Sequence, residues 1–207
     1  GERIALGKDA HVFTARREGD TCDVVKIYRV ENGNFNKMFQ YISGDKRFDP
    51  IQNHRRKIVF SLVKREYRNL MLARDHVNVP TPYEFKDNIL VMELIGDRRI
   101  APQLKDAYPD NEDMFFKRSI RQLRGMIKAG LVHADLSQFN ILNFKDKPVF
   151  IDMGQATPFD SPNATDLFER DLRNFKKFYS KLIDEERIDH AFEKLRSEFN
   201  DALPGEQ

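Results

Sequence analysis

A single cysteine, Cys22, and no tryptophan occur among the 207 residues of this chain. One thiol excludes an intrachain disulfide and points to a reducing, intracellular compartment. Cys22 itself reads as a small residue near a strand rather than as a nucleophile. No apolar run approaches the roughly 20 residues that span a bilayer, so membrane insertion is not expected. The opening Gly-Glu-Arg-Ile-Ala-Leu-Gly carries no apolar core region. No signal peptide is therefore expected, a cytoplasmic location is, and the start at Gly suggests further residues upstream. Glycine is scarce where a phosphate-cradling loop would need it: Gly7 is the only one between Ile4 and Arg16. Charge of one sign is lacking too, since the net value of +2 implies no partner by itself. The distribution is uneven, however. Nine Lys or Arg face three Asp or Glu between Lys37 and Arg68, whereas eight basic and eleven acidic residues lie from Asp166 onward. A basic segment attracts phosphate backbones, and a solvated helix surface explains it as well.

What is present suits a folded enzyme. Hydrophobic content of 40% with 17 Phe supports a globular core. A chain of this length buries about 70% of its unfolded surface, as one large or one two-lobed domain. Gly7 to Ala15 reads as strand, turn and strand, and Asp23–Tyr28 as an alternating strand. Residues 29 to about 50 hold Asn32-Gly33-Asn34, Ser43-Gly44-Asp45 and Asp49-Pro50. That composition predicts loop, with at most a short helix near Lys37–Ile42. From about 56 to 75, Val59, Val63, Glu66, Leu70 and Ala73 share one helical stripe. Tyr83–Phe85 and Ile89–Met92 pair across Lys86-Asp-Asn88, and a connector, Glu93–Gly96, follows. Phe116, Ile120, Leu123 and Ile127 line a helix closed by Gly130. Phe168, Leu172, Phe175 and Tyr179 line a second helix, and Ile188, Phe192, Leu195 and Phe199 a third. The order predicts an α+β, two-lobed chain: a β-rich N-lobe over 1–92, a hinge at 93–96, and a mostly helical C-lobe over 97–207.

The most informative stretch is Leu131-Val-His-Ala-Asp-Leu-Ser-Gln-Phe-Asn-Ile-Leu142, followed by Val149-Phe-Ile-Asp-Met-Gly154. Asp135 and Asn140 lie five positions apart in one loop. Ile141–Phe144 and Val149–Ile151 read as a hairpin joined by Lys145-Asp-Lys-Pro148, which carries Asp152 back beside Asn140. Magnesium or manganese prefers oxygen ligands and keeps waters while bridging nucleotide phosphates. Asp152 and Asn140 suit that task, and Asp135 suits proton acceptance from an attacking hydroxyl or water. Any one of these residues alone reads as ordinary loop polarity; the spacing and the hairpin together resemble the protein-kinase catalytic loop and its Asp-x-Gly.

A nucleotide half accompanies it. Lys26 sits mid-strand among apolar residues, and Glu66 on an apolar helix stripe, each out of place alone. Either could be a snorkelling surface charge; together they predict a pair that presents Lys26 to ATP phosphates. Gly7 and Lys8 form a thin phosphate loop. Met92 would back an adenine pocket, with backbone groups of Glu93 and Ile95 at the purine edge.

These residues together resemble the RIO family of atypical protein kinases and ATPases, in its type-one branch. Gly7-Lys-Asp-Ala-His-Val-Phe13 is similar to its nucleotide loop and Val25-Lys-Ile-Tyr28 to its lysine strand. His133-Ala-Asp-Leu-Ser-Gln-Phe-Asn140 is similar to its catalytic loop, departing at Gln138, and Ile151-Asp-Met-Gly-Gln155 to its metal segment. Ala5-Leu6 replaces a hydroxyl-bearing pair before the loop glycine. The resemblance implies a kinase-like fold trimmed of a long activation segment, and ATP with Mg2+ or Mn2+. It also implies action on a precursor of the small ribosomal subunit, its protein or rRNA, and Asp152 as an aspartyl-phosphate acceptor. Autophosphorylation is compatible, with Ser43 and Ser61 the hydroxyls in or beside the basic segment. No Ala-Pro-Glu follows Gly154, which suggests weak or narrow protein phosphorylation. Competing expectations are a small-molecule phosphotransferase and a non-catalytic, nucleotide-gated binding module.

Overall fold

Alternation along one strand organises the N-terminal half. In β3 (Cys22–Tyr28) the side chains of Val24, Lys26 and Tyr28 point inward and are buried, while their neighbours are partly exposed. This is the period-2 pattern of a strand with one covered face. The structure is a computed structural model that describes residues 3–6, 10–17, 21–30, 47, 54–97 and 99–204. Gly7 and Lys8, expected to form a phosphate loop, Ser43, and the short helix expected near Lys37–Ile42 lie outside the described residues.

Around β3 runs a five-stranded antiparallel sheet. It comprises β1 (Arg3–Leu6), β2 (Ala10–Arg16), β3, β4 (Pro82–Lys86) and β5 (Ile89–Glu93), in the order β1-β2-β3-β5-β4. Register places Lys26 beside Leu90 on β5 and Val12 on β2, and Val24 beside Met92. The sheet's inner face is covered by α1 (Arg55–Ala73). Its stripe Val59, Val63, Glu66, Leu70 and Ala73 is buried throughout, as the spacing predicted. No acidic residue occupies its first turn and no side chain caps its start. Packing rather than capping therefore holds this helix.

The C-terminal half is mostly helical. Helix α2 (Glu112–Lys128) is signalled locally: the Asn111 side chain accepts from the Met114 N–H, with Glu112 and Asp113 in its first turn. Gly130 follows its end at φ +67°, a left-handed position that suits glycine. Helices α3 (Ala164–Tyr179) and α4 (Glu185–Ala202) bury the predicted aromatic stripes, with Phe168 and Phe199 stacked at 4.1 Å. Two short antiparallel pairs, β6 (Leu131–Val132) with β9 (Thr157–Pro158) and β7 (Ile141–Phe144) with β8 (Lys147–Phe150), frame the loop between them. One detail departs from the sequence reading. The β7–β8 turn is only Lys145-Asp146, both at positive φ, and Pro148 lies inside β8 opposite Asn143. A two-residue turn makes Phe144–Lys147 the hydrogen-bonded pair, so Pro148 falls where no N–H is needed.

One hydrophobic core runs from Val24 and Tyr28 through α1 to Phe150, Phe175 and Phe199. Among the described residues no helix is long and apolar enough to cross a membrane.

Candidate active site

Strand β3, helix α1 and the turn after β8 meet at one point, where Lys26 Nζ lies 2.9 Å from Glu66 Oε1 and 2.9 Å from Asp152 Oδ1. Glu66 is fully buried, and Tyr28 donates its hydroxyl hydrogen to Glu66 Oε2, so both carboxylate oxygens have partners. The sequence pointed to Lys26–Glu66. It did not reveal Tyr28, although two positions along a strand from Lys26 put it on the same face.

Electrostatics follow from burial and proximity. Desolvation alone would depress the Lys26 ammonium, but Asp152, Glu66 and Tyr28 outweigh it and hold its pKa well above the ordinary value. Burial pushes Glu66 upward despite the opposing pull of Lys26. Asp152 goes the other way, lowered chiefly by the charge of Lys26. Its side chain remains 48% accessible, so it faces the cleft and solvent moderates that attraction. The residue stands at φ +62°, a strained setting for aspartate that surrounding contacts must enforce.

Beside this triad stands the second pair. Asn140 donates from Nδ2 to the Asp135 carbonyl at 2.8 Å and to Asp135 Oδ2 at 3.2 Å. That orientation turns the amide oxygen of Asn140 to the other side. The two halves are stitched together: Ile151 N–H donates to the Asn140 carbonyl at 3.0 Å, and Gln155 Nε2 lies 3.5 Å from Asp135 Oδ2. His133 donates from Nε2 to the Ile151 carbonyl at 3.0 Å. Partial burial, with the nearby charge of Asp152, raises the Asp135 carboxyl above its usual range; His133 and the Asn140 bond oppose this.

Asp171, on α3, is a site residue that sequence reading missed. It is buried and accepts from the Ala134 N–H at 2.7 Å and the Leu136 N–H at 2.9 Å. It thereby grips the loop on both sides of Asp135, at a point where Ala134 has φ +65°. An aspartate on a Phe-rich helical stripe was the available signal, of the same kind that singled out Glu66.

Met92 is buried at the end of β5. In the connector, the Glu93 N–H donates to the Thr81 carbonyl at 2.8 Å, and the Ile95 carbonyl accepts from Ala101 at 2.7 Å. The Glu93 carbonyl and the Ile95 N–H take no part in these two bonds. Among the described residues no three His, Cys, Asp or Glu side chains converge to hold a metal by themselves. A carboxylate and an amide oxygen fit a hard cation only if phosphate oxygens and water complete its shell.

The sequence model of the RIO domain matches residues 11–191. The chain belongs to the RIO domain family. RIO-type serine/threonine-protein kinase Rio1 of Methanocaldococcus jannaschii is 38% identical over 93% of this chain and 65% of its own length. The Rio1 proteins of Haloferax volcanii and Thermoplasma acidophilum are 39% and 42% identical, over 87% and 76% of this chain and 63% and 84% of their own lengths. The chain thus spans just under two thirds of the length of the first two relatives. Among solved structures, the Rio2 kinase–ADP/Mg2+–phosphoaspartate complex from Chaetomium thermophilum matches with a TM-score of 0.68 at 20% identity. That match covers 98% of this chain and 69% of that one, and it shows the kinase-like fold.

Proposed function

We propose that this RIO chain is an ATP-dependent phosphotransferase acting on serine or threonine hydroxyls of a protein, with ATP hydrolysis as a second activity. The observation that carries the reading is Lys26, held between Glu66 and Asp152 beside the Asp135–Asn140 pair. The chain divides, on this reading, into a nucleotide lobe over 1–92, a hinge over 93–96 and a catalytic lobe over 97–207. ATP lies between them, its purine against Met92 and the Glu93 and Ile95 backbone, its phosphates near Gly7, Lys8 and Lys26. Asn140 and Asp152 hold Mg2+ or Mn2+, which when bound neutralises charge on the phosphate oxygens.

Asp135 accepts the proton of the attacking hydroxyl as its oxygen bonds to the γ-phosphorus and the β–γ bridging bond breaks, releasing ADP. In hydrolysis, an Asp152 carboxylate oxygen attacks the γ-phosphorus instead, the β–γ bridging bond breaks and ADP leaves. Water then cleaves the acyl phosphate so formed, releasing inorganic phosphate and returning the Asp152 carboxylate. The ionised, cleft-facing state of Asp152 suits that role. Between Gly154 and α3 the chain is taken up by a short turn and β9, tied by Phe159 N–H to the Gly130 carbonyl. A short tether of this kind supports narrow rather than broad protein substrates. A precursor of the small ribosomal subunit is the partner implied by family resemblance, and the basic run from Lys37 to Arg68, apart from its buried Arg65, suits its RNA.

Incubation with γ-labelled ATP tests the proposal, with and without precursor ribosomal particles. Label on protein hydroxyls, or a base-labile label on Asp152, supports it. Loss of transfer in Asp135→Ala with nucleotide binding retained supports the assignment of roles. Label on aminoglycosides or choline-like amines would make the chain a small-molecule phosphotransferase, and absence of turnover a binding module.

A further inference from the structure

Helix α1 reaches Asp152 by two routes. The first is the side-chain route through Glu66 and Lys26. The second runs through the backbone just downstream of Asp152, a single 3-10 turn (Met153–Gln155) leading into β9. Asn69, fully buried one turn beyond Glu66, donates from Nδ2 to the Met153 and Ala156 carbonyls, each at 2.8 Å. Arg65, buried beside Glu66, donates from Nη2 to the Ala156 carbonyl at 3.1 Å and to Thr157 Oγ1 at 3.0 Å. Thr157 in turn donates to the Gln155 carbonyl at 2.9 Å. The Asn69 amide is held in this sense because its Oδ1 accepts from Arg47 Nη2 at 2.9 Å.

Buried amides and guanidinium groups are costly unless their hydrogen bonds are made. An apolar side chain would fill the same space between α1 and the turn without such a requirement. What Asn69 and Arg65 add is direction: they fix where the carbonyls following Asp152 lie. They therefore help hold the strained backbone of Asp152 at φ +62°.

We infer that Asn69 and Arg65 are positioning residues for the cation-binding carboxylate of Asp152, acting through the turn 153–157; this rests on the phosphotransferase reading above. Outer residues that orient a metal ligand typically carry about 10-fold or more of metal affinity or activity. A role confined to packing would lower thermal stability and leave metal affinity untouched.

The test uses Asn69→Leu, Asn69→Asp and Arg65→Lys, with Tyr179→Phe as a control. The control removes the buried Ser119–Tyr179 bond, 2.8 Å long, on the far helices. Mn2+ affinity is read by electron paramagnetic resonance in the presence of ATP, and the Mg2+ concentration for half-maximal turnover in parallel. Both are measured well below each variant's Tm. The expected result is a weakening of about 10-fold in both for Asn69→Leu and Asn69→Asp. Arg65→Lys, which keeps the charge but not the fork, falls between these and wild type, and Tyr179→Phe shows no shift. Wild-type metal affinity in the Asn69 variants overturns the inference, even where their Tm drops. Should Asn69→Leu not fold, the near-isosteric Asn69→Asp and Arg65→Lys decide. A wild-type protein that binds no Mn2+ with ATP sinks the phosphotransferase reading and this inference together, an outcome distinct from failure of the inference alone.

Discussion

Lys26 and Asp152 are 126 residues apart in sequence, yet their charged atoms lie 2.9 Å from each other. That contact joins the sheet to the helical half. Removing the lysine leaves Glu66 buried without its cation. Breaking a buried pair on one side costs about 3–5 kcal/mol, so Lys26→Met is expected to lower Tm by about 10 °C and to abolish ATP turnover. The double variant Lys26→Met/Glu66→Leu should recover much of the Tm and none of the turnover. Thermal unfolding of both variants checks this, and an unchanged Tm in Lys26→Met contradicts it.

The two cleft aspartates should titrate in opposite directions. Burial raises Asp135, and the charge of Lys26 lowers Asp152. Carboxyl carbon shifts followed against pH are expected to place Asp135 above, and Asp152 below, the ordinary aspartate value of about 3.9. Because its folded pKa is depressed, Asp152 stabilises the fold above the unfolded carboxyl pKa. That contribution disappears as pH falls through the depressed folded value. In Lys26→Met the Asp152 titration should move upward; coincident midpoints for the two residues in the native protein would falsify the assignment.

Asp171 accepts two buried N–H groups on either side of Asp135. Asp171→Asn turns one acceptor into a donor facing an N–H. Leaving a buried donor unsatisfied costs about 1–3 kcal/mol, and the loop carrying Asp135 loses its anchor. Turnover should fall at least 10-fold while ATP affinity changes little. Equal losses in affinity and turnover would show that the anchor serves the whole cleft instead.

Gly96 ends the connector. A Cβ there would lie 1.9 Å from the Arg99 carbonyl oxygen and 3.1 Å from the Ala101 nitrogen, which donates to Ile95. Gly96→Ala must push this backbone aside and shift Ile95 with it. The expected outcome is a raised KM for ATP, with a kcat closer to wild type. A wild-type KM would remove the Ile95 backbone from the purine site.

Periodicity alone determined most of the secondary structure. The stripes ending at Ala73, Ile127, Tyr179 and Phe199 mark helices because burial on one face repeats every 3.6 residues, and that repeat is visible without coordinates. The Asp135–Asn140 spacing and the hairpin returning Asp152 were legible for a related reason: a loop and a tight turn are local, so their geometry follows from nearby residues. Glu66 and Lys26 could be paired in advance because each was a charge in an apolar context.

Tertiary structure alone decided the rest. That Lys26 contacts Asp152, that Tyr28 completes Glu66, that Asp171 grips the loop around Asp135, and that Asn69 and Arg65 hold the turn after Asp152 all depend on packing between distant elements. A buried polar side chain can announce in sequence that it needs a partner. It cannot say which one, because the choice belongs to whichever backbone carbonyl or N–H the folded core brings within 3 Å.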